Sequence, residues 1–390
     1  MQAQKLHLHP EQEDYDREAR KGEVLPHCAR HAALAVVELR YALAVYVNII
    51  EIDILGVMHL NAFAGSEPAD ALSRNYNAMM AEMLPARGIA FEQVERLGDA
   101  GGPVSASRVR ASIDAGSLKG ALALCPSSTA PYLLSDCAVS SLQEELDATP
   151  KPGLVDKAHN GSHNDMDYAL MSLSIKALRP WLTTLSLYAW AAPPDASAVR
   201  AIGIGAEKAM LEASGGVNTH RGALFCLGLS LCAAADCLHR TGDIEAETIR
   251  RTVRILAAGL PAANGTHGAE VIEKHRVVGA LEQARDAWPQ LFDRWLPLYR
   301  SLQGDAFRMQ KTLLCIMSGL DDTNVLYRAG AARAAEVKEE AAALLQDFSA
   351  QGLDAMDKEF IVEGISPGGS ADMLSLTIFY HTITNQSLNF

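Results

Sequence analysis

The residues best equipped for chemistry crowd into one stretch, Thr149 to Asp167, which reads TPKPGLVDKAHNGSHNDMD. Its two prolines and two glycines exclude one regular helix through it. It is therefore a loop between two apolar-periodic segments, and it carries Lys151, Asp156, His159, His163, Asn164, Asp165 and Asp167. Asp165 and Asp167 form a DxD. On a helix, positions i and i+2 point apart; in a loop both carboxylates can reach one cation. Such a pair suits Mg²⁺, which takes a few carboxylates and completes its shell with phosphate oxygens and water. Asp321-Asp322 is a second acidic pair, and Glu207 and Asp372 are further carboxylates able to contribute.

Three more polar turns repeat the type. They are Ser214-Gly-Gly-Val-Asn-Thr-His-Arg-Gly222, Asp321-Asp-Thr-Asn-Val-Leu-Tyr-Arg328 and Ser366-Pro-Gly-Gly-Ser-Ala-Asp372. Each abuts an apolar helical run, so the four together predict a single polar site built at helix ends. Gly215-Gly216 and Gly368-Gly369-Ser370 precede helix-like segments, where backbone N–H groups form anion nests. Neither has the P-loop spacing with its Lys-Ser/Thr. Lys151, Asn218, Thr219, His220, Arg221, Asn324 and Arg328 are the cations and neutral donors that hold phosphate chains. The residues thus describe a glycine-rich site of mixed charge, suited to Mg²⁺ and a polyphosphate. They do not name the reaction.

The elements that must position these groups are mainly helical. Hydrophobic residues at 49% and charged residues at 21% describe a soluble protein with ample core. A net charge of -13 excludes broad binding of nucleic acid or anionic membrane. Seven cysteines without a CxxC pair read as reduced core residues of a cytoplasmic protein, with no zinc site and no disulfide framework. The amino terminus is polar, without a signal peptide. The longest uncharged apolar runs, Tyr41 to Ile50 and Gly222 to Ala235, are shorter than a membrane span.

Residues 1–31 read as a polar lead-in. Over 32–135 helix and strand signals alternate. Val45 to Leu55 includes a strand, Phe63 to Pro68 is a turn, Asp70 to Leu84 an amphipathic helix and Ile89 to Leu97 a strand. A helix opens at Ser105 or Ser107 as N-cap, where Arg108 and Arg110 can hold phosphate. From Asp136 onward the periodicity is helical, which places a domain boundary at 130–136. Helices are expected over 136–148, 168–187 with a break at Pro180, 196–213, 222–239 as the buried central helix, and 243–259. More follow over 269–287, 289–302, 305–319, 329–347, 352–362 and 371–384. Gly203 and Gly205 allow a neighbour to approach 196–213 closely.

Thr149–Asp156, Gly161–Asp167, Gly215–Gly222, Asp322–Arg328 and Ser366–Asp372 resemble, in order, the motifs of the triphosphoribosyl-dephospho-CoA synthases. These serve the citrate lyase and malonate decarboxylase prosthetic-group pathways. The resemblance implies an all-helical domain over 136–390 and ATP and 3'-dephospho-CoA as substrates, with Mg²⁺. The 2'-hydroxyl of dephospho-CoA attacks C1' of the ATP ribose and adenine leaves. Carried onto this chain, Asp165, Asp167 and Asp322 are expected at the metal. Asp156, Asp165 and Glu207 are expected in catalysis, with Asp156 or Glu207 nearer the sugar. The donors named above, with Gly215, Gly216, Gly368, Gly369 and Ser370, are expected at the substrates. One departure is that Val278–Ala284 lacks the arginine of a GxRGEA-like stretch common in the family.

The preceding region resembles something else. Gly65–Pro68, Asn75–Met79, Leu84–Ile89 and Val104–Arg110 are similar to the carboxy-terminal part of citrate lyase ligase. That likeness implies a small α/β remnant of nucleotidyltransferase type over 32–135. The ligase's HxGH motif is missing, which speaks against acetate ligation. The fusion favours citrate lyase and its maturation proteins as the setting. The competing reading is a non-catalytic module that binds dephospho-CoA or assembles the lyase; adenine release separates the two.

Overall fold

The computed structural model describes residues 47–52, 58–65, 71–95, 97–262 and 267–384. They fall into two compact units divided after Arg108. The expected lead-in over 1–31 lies outside the described residues.

The first unit carries a three-stranded sheet of order β1 (Val47–Ile52), β2 (Met58–Gly65), β3 (Ile89–Val94). β1 runs antiparallel to β2, with Ile50 opposite Leu60, and β3 runs parallel to β2, with Ile89 opposite Leu60. A parallel pair needs a crossover, and α1 (Ala71–Met83) lies within it. The turn expected at Phe63 starts too early, because β2 continues to Gly65. Pairing on both edges satisfies its backbone and overrides the local turn signal. A small hairpin, β4 (Gly98–Asp99) and β5 (Gly102–Pro103), precedes α2 (Ala106–Asp114). Ser105 caps α2, its Oγ accepting from Arg108 N–H at 3.3 Å. The Arg108 guanidinium does not stand free for phosphate: it forks onto both Asp99 oxygens at 2.7 Å and donates to Gly102 O at 2.6 Å.

The second unit is helical, with no strand among its described residues. As a compact unit it begins at Val109, and Leu118 and Ala121 of α3 (Leu118–Ala123) belong to its core. The long helices are α4 (Ala130–Asp147), α5 (Tyr168–Ala191), α6 (Ala196–Ala213), α7 (Arg221–Thr241) and α8 (Ala246–Ala258). Apolar on nearly every face, α7 is the buried centre. It is the one described helix long and apolar enough to cross a membrane, yet 83% of its apolar window is buried inside the protein. α5 runs through Pro180 without the expected break. Leu178, Leu182 and Leu185 on either side are buried, and that burial outweighs the ~3 kcal/mol an internal proline costs. A Cβ on Gly205 would stand 2.4 Å from the Trp181 ring, so this glycine does admit a neighbour, whereas Gly203 faces open space.

The stretch expected as one helix over 269–287 is two, α9 (His267–His275) and α10 (Ala280–Arg285). α11 (Leu296–Ser301), α12 (Arg308–Gly319), α13 (Thr323–Gln346), α14 (Ala350–Glu363) and α15 (Gly368–Thr384) complete the unit. α13 starts ahead of the expected 329, so the Asp322–Arg328 motif is its capped first turns rather than a loop. Gly330, at φ 79° and ψ 174°, then breaks the helical path. A positive φ there is open to glycine at no steric cost.

Candidate active site

The polar turns are fastened to one another at one end of the helical unit. Within the 149–167 loop Asp156 is buried and acts as a staple. Its Oδ1 accepts from Ala158 N–H at 2.7 Å and His159 N–H at 3.2 Å, and its Oδ2 from Lys151 N–H at 3.1 Å. His159 Nδ1 accepts from Gly161 N–H, which leaves Nε2–H to meet Asp357 Oδ2 at 2.7 Å. The other Asp357 oxygen accepts from Gly153 N–H at 2.9 Å. Ser162 Oγ donates to the carbonyls of Phe360 and Ile365, and His163 Nε2 sits 2.8 Å from Ser366 Oγ. Arg328 donates to Ser162 O at 3.2 Å and Gly364 O at 3.1 Å. The loop is thus tied to the α13 start and the α14–α15 turn, and its irregular backbone is satisfied by side chains.

Beneath it lies a buried ion pair. Lys151 Nζ donates to Glu145 Oε1 at 2.5 Å, with both side chains almost inaccessible. Burial pushes the Glu145 carboxyl up against the pull of Lys151. Next to Lys151 is buried His220, whose Nδ1 is 3.0 Å from Ser174 Oγ, itself 2.6 Å from Thr219 Oγ1. Burial, aided by the Lys151 charge, holds His220 down to about 3. A depressed imidazole favours the folded state fully above its unfolded value of 6.5, and that advantage is lost as pH falls from 6.5 towards 3. Between about pH 7.5 and about pH 4.5 the wild-type protein should therefore lose on the order of 2 kcal/mol more in urea unfolding than His220→Asn. Equal losses would remove His220 as a cause.

Two helix N-termini meet above this pair. α7 starts at Arg221-Gly222, and Asp372 in the first turns of α15 packs against Gly222 so closely that a Cβ there would lie 2.0 Å from Asp372 Oδ2. Asp372 keeps some accessible surface as a residue, yet its carboxyl lies in this dense wall. That burial, with Asp322 and Glu145 as negative neighbours, pushes the carboxyl well above the usual range, opposed by the Ala223 amide. Arg221 pairs with Glu207 at 2.5 Å. Asp322 is buried between two helix starts. Its Oδ1 takes Asn324 and Val325 N–H, and its Oδ2 takes Ser370 N–H at 2.7 Å and Ser370 Oγ–H at 2.9 Å. Gly222→Ala should cost about 1–3 kcal/mol by overpacking and remove most activity by displacing Asp372. Unchanged melting and activity would contradict this contact.

The expected site residues therefore divide. Asp322 spends its oxygens on caps and does not join Asp165 and Asp167. Asp167 caps α5, accepting from Leu170 N–H at 2.8 Å, while Asp165 is exposed beside His163. Gly215 and Gly216 donate to Glu212 O and Leu211 O, closing the C-terminus of α6 rather than forming a nest. Asn218 Oδ1 accepts from Arg221 N–H at the α7 start. Asn324 approaches Gly368, and Gly369 approaches Asp322. Lys151 is committed to Glu145. An open cleft of about 460 Å³ is lined by Asn160, Asn164, Asp165, Asp167 and apolar Met166 and Leu173. Its donors are oxygens of the hard kind Mg²⁺ prefers. Among the described residues no three His, Cys, Asp or Glu side chains gather as a closed metal site, and the cleft presents the carboxylates of Asp165 and Asp167, the latter with Oδ1 engaged as the α5 cap. Sequence reasoning missed Glu145 and Asp357, which sit inside helices with no local signal. It noted Asp372 only as a spare carboxylate.

A family profile described as ATP:dephospho-CoA triphosphoribosyl transferase matches residues 131–389, and one described as the citrate lyase ligase C-terminal domain matches 31–133. The 2-(5''-triphosphoribosyl)-3'-dephosphocoenzyme-A synthase of Pectobacterium atrosepticum is 40% identical over 260 residues, 62% of this chain and 86% of its own length. A probable synthase of that name from Pseudomonas aeruginosa is 36% identical over 274 residues, 66% of this chain and 93% of its own. One from Vibrio cholerae is 34% identical over 273 residues, 63% and 87%. No solved structure matches. The first profile runs from the first turn of α4 to beyond α15, most of the chain, and the chain belongs to the ATP:dephospho-CoA triphosphoribosyl transferase family.

Proposed function

We propose that the helical unit transfers the triphosphoribosyl group of ATP to the 2'-hydroxyl of 3'-dephospho-CoA and releases adenine. The C1'–N9 bond of ATP breaks with its electron pair going to adenine, and the acceptor 2'-oxygen bonds to C1'. Adenine takes up a proton as the hydroxyl gives one up, so the atoms balance. The observation that carries this reading is the juxtaposition at the α7 start, where Glu207 is held by Arg221 and Asp372 lies against the next residue, Gly222. Asp372, its carboxyl pushed upward by burial and by its negative neighbours, would donate to the departing base. Glu207 would accept the hydroxyl proton. Proton transfer at both ends of such a displacement contributes typically about 10²–10⁴-fold.

The other groups position. A phosphate chain would meet the α15 start at Gly368 and Gly369 and the positive dipole ends of α7 and α15, while Ala223 N–H is given to Asp372 and Ser370 N–H to Asp322. Asp165 and Asp167 would hold Mg²⁺, which when bound would neutralise the charge of the retained triphosphate. Asp156 shapes the loop that presents them. On this reading the enzyme is cytoplasmic, requires neither nucleic acid nor membrane, and supplies the precursor of the citrate lyase acyl-carrier prosthetic group, with lyase maturation proteins as partners. The test pairs acceptors: adenine should appear with ATP, Mg²⁺ and dephospho-CoA, and not with its 2'-deoxy analogue. Release with both, or with neither, would overturn the reading.

A further inference from the structure

A second hollow, of about 230 Å³, adjoins the site. It lies between α12, α13 and the 275–277 segment, and two of the polar turns form its inner wall through Asp322, Pro367 and Ser370. Its remaining surface is mostly apolar, with Met317, Leu320, Val325 and Leu326 on one side. The break at Gly330 turns the α13 path just where the lining residues become small, Ala331, Ala334 and Ala335. Ala331 and Ala335 are exposed at the mouth, and His275 and the Lys338–Asp321 pair place polar groups on the lining. Asp322 and Ser370 bond to each other, so they partition this hollow from the carboxylates rather than serve either chemistry.

We infer that this groove receives the pantetheine arm of dephospho-CoA, an inference that rests on the acceptor proposed above. The arm is a branched apolar chain interrupted by amides, and it needs an apolar trough with a few polar groups. The nucleotide half carries the reacting 2'-hydroxyl at one end and its diphosphate, which leads to the arm, at the other. With the hydroxyl proton taken by Glu207, the diphosphate lies along the α15 start at Gly368 and Gly369, whose amides Asp322 does not occupy, and the arm continues past Pro367 into the groove. The triphosphate-holding cleft at Asp165 is left to ATP.

The test is calorimetric binding of dephospho-CoA and of ADP, which has the same nucleotide without the arm, to the full chain. The variants are Ala335→Leu and Ala331→Leu, both at exposed positions where folding should tolerate a larger side chain. Wild type should bind dephospho-CoA more tightly than ADP by about tenfold or more, and each variant should lose most of that advantage with ADP binding unchanged. Variants that keep the wild-type preference, variants that weaken ADP equally, or a wild type without any preference would each overturn the inference. If the preference behaves as expected but no adenine is released from ATP and dephospho-CoA, the groove stands and the transfer reading falls.

Discussion

Asp372→Asn should lower adenine release by about 10²–10⁴-fold while ATP and dephospho-CoA still bind, because amide cannot donate the proton a carboxyl can. The same change should not weaken the fold. Asp372 has a folded-state value raised above its unfolded one, so its contribution to stability is full below the unfolded value and is lost as pH rises through that value towards the folded one. At neutral pH the buried carboxyl is therefore a cost, and the Asp372→Asn variant should melt no lower than wild type. The wild-type turnover rate should also fall on the alkaline side as Asp372 loses its proton. A stable variant with near-normal turnover would remove Asp372 from the chemistry. A variant that fails to fold would instead make it structural, a result that Asp372→Glu would have to reproduce.

Lys151→Met should give the largest loss of stability in the helical unit. Removing one partner of a buried pair typically costs about 3–5 kcal/mol, because the survivor stays buried without compensation. Glu145 would be that survivor, accessible to only 4% of its side-chain surface. For a unit of this size the loss corresponds to a drop in melting temperature on the order of 10 °C. The double change Lys151→Met with Glu145→Leu should recover much of it, since a packed apolar pair avoids both desolvation costs. Thermal melts of wild type, the single variant and the double variant decide the matter. A single variant as stable as wild type would show that the pair contributes nothing, and a double variant as poor as the single would place the loss in packing instead.

How much of this was legible in the sequence depends on where each residue's partner lies. The loop at 149–167 announced itself through its prolines and glycines, and α7 through apolar residues on every face. The four motif turns stood out because polar groups crowded beside apolar helices cost free energy unless they meet one another or a ligand. The partners that fix the site were not legible. Asp357 reaches Gly153 across 204 positions and Ser370 reaches Asp322 across 48, and no local pattern marks either. Pro180 signalled a break that core burial overrode. The Gly215-Gly216 pair signalled an anion nest, but its amides were needed first to close α6. Asp322 looked like a metal ligand for the same reason it makes a good cap: a short carboxylate beside a helix start accepts whichever donors come first, and here they are backbone N–H groups and Ser370. Composition and spacing identify which groups are costly to leave unpaired; only the packed chain says which of them remain for the substrate.

Which bond of ATP breaks separates this transfer from nucleotidyl transfer. The most direct measurement is chromatographic and mass analysis of a single turnover of the full chain with ATP, Mg²⁺ and dephospho-CoA. Adenine should appear in equal amount to a product that joins dephospho-CoA to the ribose with all three phosphates retained. Pyrophosphate with intact adenine on the product, the outcome of nucleotidyl transfer, would contradict the proposed transfer.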